Sequence, residues 1–131
     1  MNKDEMLKDL GILILRLTIG GLMIFHGVAK LMHGVGFLQQ MFAGMGLPEF
    51  FAYGVFLGEI VAPIFLIIGF KVRLAAIVEA LTMVVAIGMA HSGDIFSLSQ
   101  HGGWAIELPA LFLFGSIAIA LIGGGKFSID K

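Results

Sequence analysis

The sequence predicts an all-α integral membrane protein in which four transmembrane helices pack as a small bundle. Three observations predict this fold class. Of the 131 residues, 59% are hydrophobic and only 13% are charged, with a mean hydropathy of +1.03. Soluble domains carry about 25% charged residues, so this chain lacks the polar coat of a water-soluble fold. Its apolar residues also form continuous runs of membrane-spanning length, whereas the strands of a membrane β-barrel would alternate apolar and polar residues.

The predicted spans follow one another through short connections and cover residues 11–32, 51–70, 74–91 and 104–123. One bilayer crossing requires about 20 predominantly apolar residues, so the four spans use the chain as a single domain over residues 1–131. The connection between the first two spans is rich in Gly, Met and Phe. It predicts a short interfacial helix over residues 37–42 or a simple interfacial loop, and the alternative is a lid over an outward-facing site.

The distribution of Lys and Arg predicts the orientation. Three regions share one side of a four-span protein: the N-terminal end, the connection at residues 71–73 and the C-terminal tail. They contain Lys3, Lys8, Arg16, Lys71, Arg73, Lys126 and Lys131. Only Lys30 falls toward the other side. Because cytoplasmic loops carry an excess of Lys and Arg, we expect both termini in the cytoplasm.

The ionisable residues inside the spans are the candidates for function. A charge at the bilayer centre costs roughly 2.5–3.5 kcal/mol on insertion scales, so each needs a partner, water or a role. At about 100° per residue, one face of the first span, which we expect to point into the bundle, contains Arg16, His26, Lys30 and His33. Glu59 lies in the middle of its span and is too deep to extend to the interface.

Depth separates these residues into two groups. Arg16 and Glu79 lie at similar depth toward the cytoplasmic side, which predicts an ion pair, structural in one interpretation and functional in the other. The outer half contains the residues of a predicted outward-facing polar pocket: His26, Lys30, Glu59, His91, Glu107 and, at a helix end, Trp104. Two members have simpler alternatives. Lys30 can extend to the interface, and Trp104 is also typical of an interfacial anchor.

Other kinds of site are not expected. His and Glu are suitable metal ligands, but no pair has the spacing that presents two ligands together, so no metal is expected. The chain has no Cys, which excludes disulfides and thiolate chemistry of its own. The net charge of −1 argues against nucleic acid as a partner. The expected surroundings are a lipid bilayer.

Short motifs occur in order along nearly the whole chain: RL at 16–17, HG at 26–27, KL at 30–31, GLP at 46–48, Glu59, IIGFKVR at 67–73 and GGGKFSID at 123–130. Together they resemble the DoxX family of small four-helix bacterial inner-membrane proteins. The family's usual ending is closer to Gly-Pro-Gly, and here Gly124 replaces the Pro. The resemblance implies a subunit of quinone-coupled oxidoreduction, like quinol oxidase or thiosulfate:quinone oxidoreductase subunits, with a quinone as ligand and a redox protein as partner.

Two hypotheses of function follow. In the first, the outward pocket binds a quinone, a quinol or a similar small molecule. Glu59 and His26 are then the candidate catalytic residues, with Glu107 as an alternative proton carrier. The ligand-binding candidates are Lys30, His91, Glu107 and Trp104. Whether the chain acts as an enzyme by itself stays open. In the second hypothesis, the chain is a non-catalytic membrane scaffold or a carrier of a small molecule or lipid, acting as a homodimer.

Overall fold

The computed structural model describes residues 2–130 and is all-α. We number its main helices α1 (Lys3–His33), α2 (Gly36–Gly44), α3 (Glu49–Ile68), α4 (Val72–Ala90) and α5 (Glu107–Ile122). The α3 helix is composite: it is 3₁₀-helical over Glu49–Gly54, π-helical over Leu57–Val61 and α-helical over Ala62–Ile68. An isolated antiparallel bridge joins Leu98 to Trp104 in the connection before α5.

The long helices have the composition of a membrane protein. In the described residues, α1, α3 and α4 are each long and apolar enough to cross a bilayer, and α5 is a shorter apolar helix of 16 residues. All four coincide with segments that the sequence predicted to be spans. The all-α prediction is therefore confirmed, and a short helix, α2, occupies the connection where an interfacial helix or loop was predicted.

Two helix boundaries differ from the prediction for local reasons. The α1 helix begins at Lys3 rather than residue 11, because the Asn2 side chain accepts a hydrogen bond of 2.8 Å from the Glu5 backbone nitrogen. This cap satisfies a free N–H group at the helix start and favours helix in the polar segment. The α5 helix begins at Glu107 rather than residue 104, because Trp104 takes part in the bridge to Leu98.

The helices contact one another in a closed order: α1 contacts α3 and α5, and α4 also contacts α3 and α5. The core lies between them and consists mainly of apolar side chains, including Ile19, Met23, Leu66, Ala76, Phe112 and Ile119. The α2 helix has no buried residue and packs mainly on the 3₁₀-helical start of α3. It therefore lies outside the core.

One end of the molecule is closed by the segment that follows α5. We call it the terminal end, since it contains the start of α1 and residues 123–130. The Arg16 side chain, 1% exposed, donates hydrogen bonds of 2.8–3.2 Å to backbone carbonyls at the end of α3 and in the tail. The acceptors are Leu66, Ile67, Gly124 and Phe127. The guanidinium thus joins α1, α3 and the tail.

The predicted ion pair between Arg16 and Glu79 is wrong. The hydrogen bonds of Arg16 go to backbone carbonyls, and the ion pairs of the described residues do not include these two side chains. The physical reason is that the last carbonyls of a helix have no partner within that helix, and a buried guanidinium satisfies several of them at once. The prediction rested on the similar depth of Arg16 and Glu79 and did not consider these backbone carbonyls as acceptors.

Candidate functional site: a polar cavity around a buried ion pair

A buried ion pair lies at the end of the molecule opposite the terminal end. Lys30 Nζ on α1 lies 2.6 Å from Glu59 Oε1 and 2.8 Å from Glu59 Oε2 on α3. The carboxylate side chain is 3% exposed, and the lysine side chain is 24% exposed. A charge in an apolar span is expensive unless it is paired, so each group makes the other tolerable. The ammonium of Lys30 turns toward Glu59 rather than simply extending to a surface.

Glu59 owes its position to the π-helical part of α3. In this segment, Leu57–Val61, each backbone hydrogen bond spans one residue more than in an α-helix, which widens the helix and changes the direction in which the following side chains point. Pro63, just after it, has no backbone N–H, so regular α-helical hydrogen bonding is interrupted there as well. Single π-helical turns are found frequently at functional sites.

Two glycines allow the neighbouring helices to approach this segment closely. A Cβ atom at Gly27 of α1 would collide with the Glu59 carbonyl group and would lie 2.5 Å from Ile60 Cγ1. A Cβ atom at Gly58 would collide with the Thr82 side chain of α4. Small residues permit this kind of contact between membrane helices. Gly27 lies one turn before Lys30, so the close approach also brings Lys30 to Glu59.

A cavity of about 180 Å³ adjoins the ion pair, and we call it the polar cavity. Besides Lys30 and Glu59, two histidines line it: His26 of α1 and His91 at the end of α4. Its other walls are apolar and come from α1, α4 and α5: Met23, Met83, Ala86, Leu108, Pro109 and Phe112. The cavity thus combines four ionisable side chains with a largely apolar enclosure.

The two histidines are held differently. The His26 ring packs edge-to-face on Phe112 of α5, with ring centroids 5.7 Å apart. This contact restrains the ring while leaving the side chain accessible. His91 Nδ1 lies 3.7 Å from Asp94 Oδ2 in the turn that follows α4. His91 therefore belongs to the rim of the cavity, and the turn at Ser92–Asp94 fixes its position.

A second cavity of about 520 Å³ adjoins the first, and we call it the apolar cavity. It is partly open to the surface and lies between α2, the first half of α3 and one face of α4. Its aromatic and aliphatic lining includes Phe37, Phe42, Phe51, Leu57, Leu81 and Val85. Lys30, Glu59, Ala86 and His91 line both cavities, so these residues form a common wall.

The structure gathers four of the six residues predicted to form the outward pocket: His26, Lys30, Glu59 and His91. Glu107 and Trp104 line neither cavity. Glu107 is exposed at the first turn of α5, and the Trp104 indole donates a 2.6 Å hydrogen bond to the Ile95 carbonyl. Their assignment as ligand-binding residues is therefore not supported by the geometry, because the turn before α5 directs them away from the cavities.

Glu79 is a buried carboxyl outside both cavities. It is fully buried, and its Oε2 atom accepts a 3.3 Å hydrogen bond from the Ser116 hydroxyl of α5. Among the described residues, none donates a hydrogen bond to its Oε1 atom. Sequence reasoning missed Ser116, as well as Phe112 and the methionines of the polar cavity. Apolar and small side chains occur throughout the helices and do not stand out in the sequence. They could have been identified only by predicting which helix faces pack against one another.

The DoxX family model matches residues 11–92. This range covers most of α1, all of α2 to α4 and all four ionisable residues of the polar cavity. The chain belongs to the DoxX family. It is also similar to a Bacillus subtilis protein named "Putative oxidoreductase CatD", with 29% identity over 99% of this chain and 90% of that protein. An uncharacterized protein of Haemophilus influenzae is 28% identical over 100% of this chain and 96% of that protein. No solved structure matches the chain.

The site can do two things chemically. An ammonium and two imidazoles can donate hydrogen bonds to the oxygen atoms of a ligand, and a carboxylate can accept or return a proton. Among residues 2–130, no three His, Cys, Asp or Glu side chains gather as a potential metal site. The chemistry that the ammonium, the imidazoles and the carboxylate offer is hydrogen bonding and proton transfer.

Proposed function

We propose that this chain is a membrane subunit of a quinone-linked oxidoreductase system and that the polar cavity binds the ring of a quinone or quinol. Membership of the DoxX family and similarity to a protein named as an oxidoreductase support the broader assignment. The proposal also includes the topology: α1, α3, α4 and α5 form a four-helix bundle in the bacterial inner membrane, and both termini lie in the cytoplasm.

The distribution of charged groups supports this topology. At the terminal end, the Lys71 backbone nitrogen donates to Asp130, and the Lys126 backbone nitrogen donates to Asp9. The basic regions that the sequence assigns to the cytoplasm therefore meet at one end, while the polar cavity lies toward the other. Under the positive-inside rule, the terminal end is cytoplasmic and the cavity opens outward.

The ion pair of Lys30 with Glu59 is the observation that carries the proposal. A buried pair is costly to maintain, and replacing such a pair by apolar residues is often neutral or stabilising. The pair therefore contributes little net stability, and its place beside a cavity with two histidines favours a role in ligand binding or proton transfer. An ammonium held next to a carboxylate can offer a hydrogen bond to a carbonyl oxygen and exchange a proton with its partner.

The size and character of the polar cavity fit a quinone ring. Its volume of about 180 Å³ is slightly above that of cavities, about 150 Å³, that hold benzene in a protein core. The walls at Phe112, Met23 and Met83 suit an aromatic ring, since aromatic and thioether groups pack well on such rings. The four ionisable residues come from α1, α3 and the end of α4, so together they can reach more than one atom of a ligand.

When bound, a quinone supplies two-electron, two-proton redox chemistry. In this proposal Lys30 donates a hydrogen bond to one carbonyl oxygen, and His26 or His91 donates one to the other. Glu59 carries protons to and from the site through Lys30, with which it is already in hydrogen-bond contact. The electrons come from a redox partner protein in the membrane or at its surface.

The alternative role of a carrier is less well supported. Transport by alternating access requires the site to open toward both sides of the membrane. The terminal end is closed by the hydrogen bonds of Arg16 to α3 and the tail, which would have to break in every cycle. A stable homodimer that binds no quinone would favour the scaffold or carrier role, and cross-linking in membranes measures this.

The test is equilibrium binding of a tailless ubiquinone analogue to the detergent-solubilised protein. Binding is followed by quenching of Trp104, the chain's single tryptophan, and checked by equilibrium dialysis. We expect Glu59→Gln and His26→Ala each to weaken binding about tenfold or more, because each removes a charge-assisted or directed hydrogen bond. A control variant, His33→Ala, changes a histidine of α1 that does not line the cavity and should bind normally.

Equal affinity of the wild type, Glu59→Gln and His26→Ala would remove the proposal, as would an absence of binding by the wild type. Because Glu59→Gln also leaves Lys30 without its partner, thermal melting of each variant in detergent must accompany the binding measurement. A variant that melts like the wild type but binds weakly shows that the side chain acts on the ligand.

A further inference from the structure

The apolar cavity is nearly three times as large as the polar cavity, at about 520 Å³ against about 180 Å³. Its volume lies within the range of about 300–1,000 Å³ that is usual for ligand sites, whereas the polar cavity is below this range. The polar cavity can hold a single ring, but it has no room for a large substituent on that ring. A larger ligand of this site therefore needs a second space.

The two cavities meet at a common wall. Lys30, Glu59, Ala86 and His91 line both of them, so a group bound against the ion pair is adjacent to the apolar cavity as well. Ala86 is the smallest of these side chains and leaves the least material between the two spaces. Beyond this wall, the lining is almost entirely aromatic and aliphatic, and the Thr82 hydroxyl is occupied by a hydrogen bond to the Val78 carbonyl.

The geometry points to a two-part site that takes an amphiphile. We infer that the apolar cavity holds the hydrocarbon tail of the ligand whose ring lies in the polar cavity. This inference rests on the proposed function and specifies its substrate class: a quinone with an isoprenoid or alkyl tail rather than a soluble, tailless one. The boundary between ring and tail lies at Ala86 and the ion pair.

The α2 helix is placed to cover the tail. It contributes Phe37 and Phe42 to the cavity, and none of its own residues is buried. It is attached mainly to the 3₁₀-helical start of α3, where the Phe42 ring packs edge-to-face on Phe51 and Gln39 Nε2 lies 3.3 Å from the Tyr53 hydroxyl. A short helix held in this way can move aside at less cost than a core helix, and a tail can enter beneath it from the bilayer.

The experiment compares a tailless ubiquinone analogue with its decyl derivative on cavity-filling variants in nanodiscs. Val85→Phe adds volume inside the apolar cavity. Val84→Phe adds the same volume at the neighbouring position of α4, which is about as exposed as Val85 (53% against 50%) but lines neither cavity. We expect Val85→Phe to weaken binding of the decyl analogue about tenfold or more, and binding of the tailless analogue less than twofold. Val84→Phe should leave both affinities unchanged.

Other outcomes separate this inference from the proposed function. Suppose that both analogues bind and that Glu59→Gln lowers the affinity for both, while Val85→Phe changes neither affinity. The ring site is then supported and the tail assignment is contradicted. If Val85→Phe weakens both analogues equally, or Val84→Phe has the same effect, the tail assignment is also overturned. If neither analogue binds to the wild type, the proposed function and the tail assignment fail together.

A second measurement does not depend on any variant folding normally. A decyl analogue with a photoreactive group at the tail end should label the peptides that contain Phe37, Phe42 and Leu81. Excess unlabelled decyl analogue should prevent this labelling. Labelling confined to Leu111 and Phe114 on the exposed face of α5, or displacement by excess phospholipid as readily as by the analogue, would overturn the inference.

Discussion

The close approach of α1 to the π-helical part of α3 can be tested by adding one methyl group. In Gly27→Ala, the new carbon would lie 2.5 Å from Ile60 Cγ1 and 2.7 Å from the Glu59 carbonyl carbon, and closer still to the Glu59 carbonyl oxygen. Carbon atoms normally approach to about 3.5–4.0 Å, so the two helices must separate by roughly 1 Å. Overpacking of this kind costs about 1–3 kcal/mol.

Gly21→Ala is the matched control on the same helix. A Cβ atom at Gly21 would meet no atom within 4 Å, so this variant changes helix propensity without a clash. The difference in stability between the two alanine variants therefore isolates the cost of the close approach. We expect Gly27→Ala to be less stable than Gly21→Ala by about 1–3 kcal/mol, measured by thermal or denaturant unfolding in detergent.

The same variant should also disturb the site. A separation of roughly 1 Å lengthens the hydrogen bonds of 2.6 and 2.8 Å from Lys30 to Glu59 beyond the usual limit for such contacts. Binding of the tailless quinone analogue should then weaken about tenfold, while Gly21→Ala binds like the wild type. If Gly27→Ala equals Gly21→Ala in both stability and binding, our account of how Glu59 is positioned is refuted.

Two further predictions concern the buried charged groups. Lys30→Met should destabilise the protein by about 3–5 kcal/mol because Glu59 is left buried without a partner, whereas the double variant Lys30→Met with Glu59→Met should recover most of that loss. Unfolding of both variants in detergent measures this, and a double variant less stable than the single one would contradict the reasoning. Arg16→Lys should lower the melting temperature and increase hydrogen exchange in the tail, because an ammonium cannot reach all of the carbonyls that the guanidinium binds. Lys8→Arg, at an exposed position, is its control, and equal protection of the tail in both variants would show that Arg16 does not hold it.

Predictions from the sequence succeeded where they depended on one helix at a time. The faces and depths of His26 and Lys30 follow from a rise and a turn per residue that are the same in every α-helix, and the depth of Glu59 follows from its place in the middle of its span. The grouping of these residues with His91 around a cavity agrees with that reasoning. Glu107 and Trp104 differ because they precede or begin α5, where a bridge and a turn, rather than helical periodicity, set the direction of the side chains.

Predictions were less successful where partners had to be chosen between helices. Arg16 and Glu79 lie at similar depth, yet Arg16 binds carbonyls at the end of α3 and in the tail. Every residue has a backbone carbonyl, so residue identity does not show which carbonyls are free to accept a hydrogen bond. A pairing based on side-chain charges alone therefore overlooks them. The choice depends on where α3 ends relative to α1, which is a property of the packed helices.

The sequence by itself determined that the chain is an all-α protein with membrane-type helices, that its family is DoxX, and which ionisable residues lie within apolar segments. These properties depend on composition, order and helical periodicity, which are local. Only the tertiary structure decided that Lys30 pairs with Glu59 and that two cavities share this pair as a wall. Those features depend on a π-helical turn and on how closely α1 approaches it. Both arise from contacts between helices, and no single helix contains the information that sets them.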